Sequence, residues 1–523
     1  MSRQSVMIVF VAVMASLLEI IDSSIVNVAL PTMMGNLGAT LEDISMVVTG
    51  YAIANAVVLP VSAWLSERLG RRRYFLGCIL LFTATSIACG LAPNLITLTL
   101  FRIFQGAAGG ALLPTSQTLI YEQFPKEKAG MAGAIFGMSV MIGPAPGPVL
   151  GGYLTDEFGW RMIFNINLPL GLIAFFVGMR VIFDVDHGSD VEHQGPKPSR
   201  DLDAIGLGLL VAGVGCLQFV LERGEADDWF SSTAIVINAI VAAISLPTFV
   251  WWELRVKNPI VNVRLFLDPI VRNGVLLMSC LGFFLYSAVF LLPIFLTRTY
   301  HYDATQTGMM FIPGSILTAM MMPIIGRLMV GGTNPKYLIF IGLVGVECCL
   351  YLMTLFSPVS PKEEILHMLY VRGFAMAFLF VPINSSILSQ FKGPALGQVA
   401  GMMNLFRQLG GSMGIAMVGT MLTKLGSQNY LDLVSKVTLL NSNTQQAYYP
   451  ALQSFASKMQ EGVGMGQASN AVLRSLRARV DNQVFMLSFI QLVFIIMMIF
   501  ALAFIPLFLL RFKAKPVAVM DAH

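Results

Sequence analysis

Long unbroken apolar runs, each closed by a short polar or basic stretch, dominate the chain from Met7 to Leu510. A helix needs about 20 mainly apolar residues to cross the hydrocarbon core of a bilayer. Fourteen such runs lie at roughly 7–29, 45–65, 74–92, 95–118, 131–154, 162–183, 203–221, 233–252, 271–296, 307–330, 336–356, 365–389, 398–422 and 484–510. Their apolar residues are continuous, not alternating, so the pattern predicts membrane helices and not the strands of an outer-membrane barrel. Glycine and proline within the runs agree with this, because both are tolerated in membrane helices. The chain reads as an all-α integral membrane protein with 14 transmembrane helices.

Composition narrows the class. Of 523 residues, 56% are hydrophobic and 12% charged, against about 25% charged in soluble domains. An ordinary soluble enzyme and a disordered chain are both excluded. A net charge of +4 with no basic stripe outside the loops gives no footprint for nucleic acid. The six cysteines fall in apolar runs and the five histidines are scattered, so no metal site or disulfide framework is expected. No phosphate-binding loop and no paired catalytic constellation occurs either, so neither an enzyme nor a bound cofactor is expected. The run after Arg3 resembles a signal peptide. Glu19 and Asp22 interrupt it without a small-residue cleavage site, so an uncleaved first span is expected.

Basic residues orient the spans. Arg68, Arg71, Arg72, Arg73, Lys126, Lys128, Arg255, Lys257, Arg264, Arg272, Arg327 and Lys336 all fall on the side of the N-terminus, and few short-loop cations fall opposite. The positive-inside rule then places both termini in the cytoplasm. An internal repeat at an offset of 268 carries Gly133, Gly143 and Gly151 onto Gly401, Gly411 and Gly419, and Pro114 onto Pro382. Such repeats mark secondary transporters, with the substrate path between the halves. Three parts follow: an N-terminal six-helix bundle at 1–184, a linker with two inserted helices at 185–262, and a C-terminal bundle at 263–523. The last part carries a large periplasmic loop at 423–483. A channel is disfavoured, because the embedded charges are single, not ringed.

Charges inside apolar spans are costly and therefore informative. Glu19 and Asp22 stand three residues apart and share one helical face. They repel each other, and burial disfavours their charge, so one of them is expected to take up a proton readily. Arg102 lies mid-span and keeps its charge, so it is expected to pair with the span-one carboxylates and to be released when they protonate. Glu347 near the centre of span eleven is a candidate second carboxylate in the path, and Arg407 in span thirteen completes the set of proton-coupling candidates. At the turn after span two, AWLSERLGRRRYF sets Glu67 beside Arg68 and Arg71, with Gly70 permitting a tight turn. A carboxylate among arginines at helix ends can latch one conformation and release in another. Span five holds GPAPGPVLGG, where Gly143, Pro144, Gly147, Pro148, Gly151 and Gly152 predict a kinked, close-packing helix at the contact between halves.

Together these stretches resemble the major facilitator superfamily, in its fourteen-helix drug:proton antiporter branch of the EmrB/QacA type. LSERLGRRR is similar to the family's loop motif, with Ala63 where its first Gly is usual and Glu67 where Asp is usual. FRIFQG, with Arg102, Gln105 and Gly106, resembles the helix-four motif associated with proton coupling. GPAPGPVLGG resembles the helix-five antiporter motif. EIIDSSIVNVALP matches the helix-one signature of the branch and places its acidic residue on Asp22, and FGWRMIFNINLPLG at 158–171 resembles a further signature. The resemblance spans essentially the whole chain. It implies a major facilitator fold of two six-helix bundles plus two inserted helices, in the bacterial inner membrane. It also implies proton-driven export of drugs or other lipophilic molecules, with a periplasmic membrane-fusion adaptor and an outer-membrane channel as partners. A narrower exporter of a fatty acid, siderophore or metabolite is the alternative. Candidate cavity residues for the substrate are Asn27, Tyr51, Asn55, Phe136, Phe283, Phe284, Tyr286, Phe378, Asn384 and Asn404, where aromatic faces hold cations or planar hydrophobes.

Overall fold

The apolar runs become helices wherever a polar cap is available to start them. In the computed structural model, which describes residues 2–144, 146–182, 203–438, 441–458 and 465–510, Ser2 caps α1 (Arg3–Leu37) by accepting the Ser5 N–H. Thr40 and Asn94 do the same for α2 (Leu41–Leu69) and α4 (Leu95–Glu122). Between α2 and α3 (Arg71–Gly90) the chain reverses on Gly70, whose φ of 84° favours glycine. The fifth run breaks into α5 (Ala129–Ile142) and α6 (Pro146–Phe158), and the sixth into α7 (Met162–Asn165) and α8 (Asn167–Val181). Gly143 and Pro144 lie in the first break, as their density foretold.

The inserted pair is α9 (Ala204–Arg223) and α10 (Thr233–Glu253). The second half holds α11 (Pro269–Tyr300), α12 (Ala304–Val330), α13 (Pro335–Thr354), α14 (Lys362–Leu388) and α15 (Gly393–Val434). Then come α16 (Ser442–Lys458), α17 (Met465–Phe500) and α18 (Phe504–Leu509). No strand occurs among the described residues. Among the described residues, thirteen helical segments are long and apolar enough to cross a membrane. The run expected at 398–422 lies inside the 42-residue α15, which is not among those segments. It carries Asn404, Arg407 and Gln408 and is enclosed by α2 and α11, so its polarity faces protein. Much of the segment expected as a loop at 423–483 is helical, formed by the end of α15, α16 and the start of α17.

The 268-residue repeat is visible in the packing. α5 crosses to α12 in the other half, and α15 makes the corresponding crossing to α2. Both contacts are made by glycine. A Cβ on Gly130 would stand 2.7 Å from the Gly326 carbonyl oxygen, and one on Gly401 would stand 2.7 Å from that of Leu59. Backbones this close require small residues. The inserted α9 lies against both α2 and α15. Its Gln218 donates to Ser412 Oγ at 2.7 Å, and Arg223 donates to the Glu42 carbonyl at 2.8 Å.

Candidate functional site: a buried charge pair and a polar seam

Asp22 and Arg102, which the sequence sets on different spans, meet in the interior. Asp22 is 0% exposed and Arg102 1%. Their helices pack directly on each other, and α2 packs closely on α4 beside them. Gly106 and Gly110 of α4 press on the backbone of Tyr51 and Asn55 in α2, leaving no room for a Cβ. Arg102 is thereby laid over the Tyr51 ring, its guanidinium carbon 4.0 Å from the centroid. Arg102 Nη1 contacts Asp22 Oδ2 at 2.5 Å and donates to Gln105 Oε1 at 2.8 Å. Gln105 Nε2 donates to Asp22 Oδ1 at 2.9 Å, and Asn167 Nδ2, at the start of α8, donates to the same oxygen at 2.7 Å. Asn167 also donates to Ser86 Oγ at 2.9 Å, and the Ser86 hydroxyl donates to the Phe164 carbonyl at 2.8 Å.

A buried ion pair is tolerated only when further hydrogen bonds satisfy both partners. Here three donors converge on the Asp22 carboxyl oxygens, an arrangement that suits the charged form. Adding a proton to Asp22 would cancel the attraction that holds Arg102.

Glu19 does not join this cluster. Its Oε1 accepts from Asn55 Nδ2 at 2.8 Å and its Oε2 has no hydrogen-bond partner. In the other half, Arg407 makes no ion pair among the described residues. Its Nη1 and Nη2 reach Tyr286 Oη and Asn404 Oδ1, each at 3.4 Å, and its Nε is unpartnered. Asn404 donates to Gln117 Oε1 at 2.7 Å, and Gln117 donates to Asn384 Oδ1 at 2.8 Å, which ties α4 to α14 and α15. Tyr121 and Ser385 add a hydroxyl contact at 3.4 Å. A polar seam thus joins the two halves nearer the C-terminal end of α4, away from the charge pair at Arg102.

The remaining predicted residues divide. Phe136 faces Phe380 across the halves, with centroids 6.1 Å apart. Phe283 lends its backbone to the close approach of Gly414. Phe284 packs on Phe500 at 5.5 Å and Phe378 on Phe374 at 4.4 Å, so both serve packing within the second half. Asn27 is exposed and donates to the Ser23 carbonyl. Glu347 is not brought to the seam. Its helix α13 packs mainly on α14, α17 and α18.

In the loop motif, the partner of Arg71 is Glu122 at the end of α4 and not Glu67, which is exposed. Arg68 lies over the Trp64 ring at 5.1 Å. The span-five glycines take one face each. Gly143, Gly147 and Gly151 press on Ile20, Ser24 and Ile25 of α1, whereas Pro148 and Gly152 meet Gly308 and Thr305 of α12. The motif therefore links the helix that carries Asp22 to the opposite half.

Sequence reasoning missed Asn167, Ser86 and Gln117. Asn167 lies within the FGWRMIFNINLPLG stretch that the family resemblance had marked. Extending the search from the four asparagines already singled out to every Asn, Gln and Ser in an apolar run would have found all three.

The fold and these features define a multi-pass membrane transporter. A family model described as Major Facilitator Superfamily matches residues 12–415, and the chain belongs to that superfamily. It is 34% identical to the multidrug export protein EmrB of Escherichia coli K12 over 451 residues, covering 86% of each chain. It is 31% identical to the fatty acid resistance protein FarB of Neisseria gonorrhoeae over 456 residues, covering 87% of this chain and 86% of that one. Among solved structures, the human organic anion transporter MFSD10 (TETRAN) shares the fold with a TM-score of 0.59 at 15% identity. That match covers 80% of this chain and 94% of the human one.

Proposed function

We propose that the protein exports lipophilic small molecules of varied chemistry across the bacterial inner membrane in exchange for protons. The observation that carries this reading is the Asp22 carboxylate, buried in apolar surroundings against Arg102 and satisfied by Gln105 and Asn167. A static anchor would not need a titratable group there, and an intramembrane carboxylate is by default a transport element. Protonation of Asp22 frees Arg102 and loosens α1 from α4. The glycine row of α5 and α6 passes that change to α12, and the halves rock about the seam. The proton gradient supplies the driving force, with no cofactor. The membrane potential adds about 2.3 kcal/mol per charge per 100 mV.

The excess of Lys and Arg supports cytoplasmic termini. On that orientation the Gln117–Asn384–Asn404 contacts lie toward the cytoplasmic end of α4 and close that side. Substrate then faces Glu19, Asn55, Tyr286, Asn404 and Arg407, flanked by Tyr51, Phe136 and Phe283. The similarity to EmrB supports broad export. The narrower reading, export of one acidic class such as fatty acids, is favoured by Arg407, which makes no ion pair among the described residues, and by the similarity to FarB. Growth inhibition of a pump-deficient host expressing the chain decides between them. Protection against lipophilic cations as well as anions is expected, and protection confined to one anionic class would replace the broad reading.

The helical head formed by the end of α15, α16 and the start of α17 is the proposed dock for a periplasmic adaptor that leads to an outer-membrane channel. It shows apolar side chains to solvent, Leu431 at 70% and Tyr449 at 51% exposure. Deleting residues 436–470 is expected to abolish co-purification with the adaptor and to spare exchange in reconstituted vesicles. Unchanged co-purification would count against docking there.

A further inference from the structure

Every group that contacts the Asp22 carboxylate does so as a donor: Arg102 Nη1, Gln105 Nε2 and Asn167 Nδ2. That arrangement suits the ionised form and leaves a protonated Asp22 with no acceptor for its new O–H. Gln105 Oε1 is already taken by Arg102 and by the Cys89 thiol at 3.6 Å. One acceptor nearby is idle. Asn167 is 0% exposed, both hydrogens of its amide nitrogen are engaged by Asp22 and Ser86, and its Oδ1 has no partner among the described residues. A buried amide oxygen left empty is costly unless another state uses it.

We propose that Asn167 is a positioning residue for proton coupling, donating to Asp22 when the carboxylate is ionised and turning its amide end for end to accept the Asp22 O–H when it is protonated. The rotation exchanges the positions of Nδ2 and Oδ1 about the Cβ–Cγ bond. The only bond formed is the O–H on Asp22, and Asn167 itself neither gains nor loses a proton. Ser86 makes the exchange feasible, because its hydroxyl accepts from Nδ2 in one state and, by turning its one hydrogen away from the Phe164 carbonyl, donates to Oδ1 in the other.

The ionisable groups facing Asp22 are Arg102 of α4, Tyr51 of α2 and Cys89 of α3, with Glu19 one turn back on α1. α5 and α6 meet α1 through Gly143, Gly147 and Gly151. Asn167 of α8 is thus an uncharged member of the shell able to serve both protonation states.

The inference rests on Asp22 being the coupling carboxylate. The test is the pH profile of substrate-driven proton exchange in vesicles for Asn167→Ala, with Ser86→Ala as a milder second variant. A hydrogen bond to the ionised form is stronger than one to the neutral form. Losing Asn167 should therefore move the pH of half-maximal exchange upward by about one unit. Ser86→Ala should move it in the same direction by less. A profile lowered at all pH values with an unmoved midpoint, in either folded variant, would reduce Asn167 to packing and overturn the proposal. If Asp22→Asn still exchanges protons, the underlying reading has failed instead, so the two failures are distinguishable.

Discussion

Asp22→Asn yields a folded protein whose substrate-driven proton movement falls at least tenfold. The substitution keeps the shape of the side chain but replaces an anion that takes three donors with an amide whose own NH2 opposes them. Gln105 and Asn167 can turn their amides to meet it, which is why folding survives. Arg102 cannot adapt in that way and is left without its anion at 1% exposure. A charge-assisted hydrogen bond contributes about 1.5–3 kcal/mol, enough for a change of at least tenfold when the proton-dependent step is lost. A monodisperse variant that exchanged protons at the wild-type rate would remove Asp22 from the coupling path.

Arg102→Met lowers stability as well as coupling. Removing one member of a buried ion pair typically destabilises by about 3–5 kcal/mol, because the partner charge remains buried and uncompensated. Replacing both members is often far milder, since no buried charge is left. The expected order of thermal stability in detergent is therefore wild type, then Asp22→Asn/Arg102→Met, with Arg102→Met least stable. Neither variant should couple protons. A double variant no more stable than Arg102→Met would mean that Arg102 contributes through its packing on Tyr51 and its contact with Val47 instead of through its pairing.

Much of this was legible in the sequence, for identifiable reasons. Spans are fixed by the length of hydrocarbon they must cross, so apolar runs gave the helices. α15 shows the limit, since a helix enclosed by others can hold Arg407 and Asn404 and is less apolar than its neighbours. The Asp22–Arg102 pairing could be read because two misplaced charges of opposite sign need each other. Glu19 separated from Asp22 because three residues of helix leave about 60° between side chains, enough to turn one toward α2 and Asn55.

The Arg71–Glu122 pair could not be read from the loop motif, because the turn at Gly70 brings Arg71 alongside the distant end of α4. Glu347 looked central by depth, yet depth does not say which face of a bundle a helix occupies. Asn167, Ser86 and Gln117 escaped notice because uncharged polar residues are no anomaly in a membrane helix. Phe284 and Phe378 show that aromatic residues in apolar runs are weak pointers to a cavity.

The central claim is that outward movement of substrate is coupled to inward movement of protons through Asp22. It is tested most directly by adding an exported compound to proteoliposomes that hold the purified protein and a trapped pH indicator, with no other ion gradient imposed. The account predicts a substrate-dependent pH change that is abolished by a protonophore and absent with Asp22→Asn. Saturable substrate transport with no pH change, or an equal pH change in the variant, would contradict it.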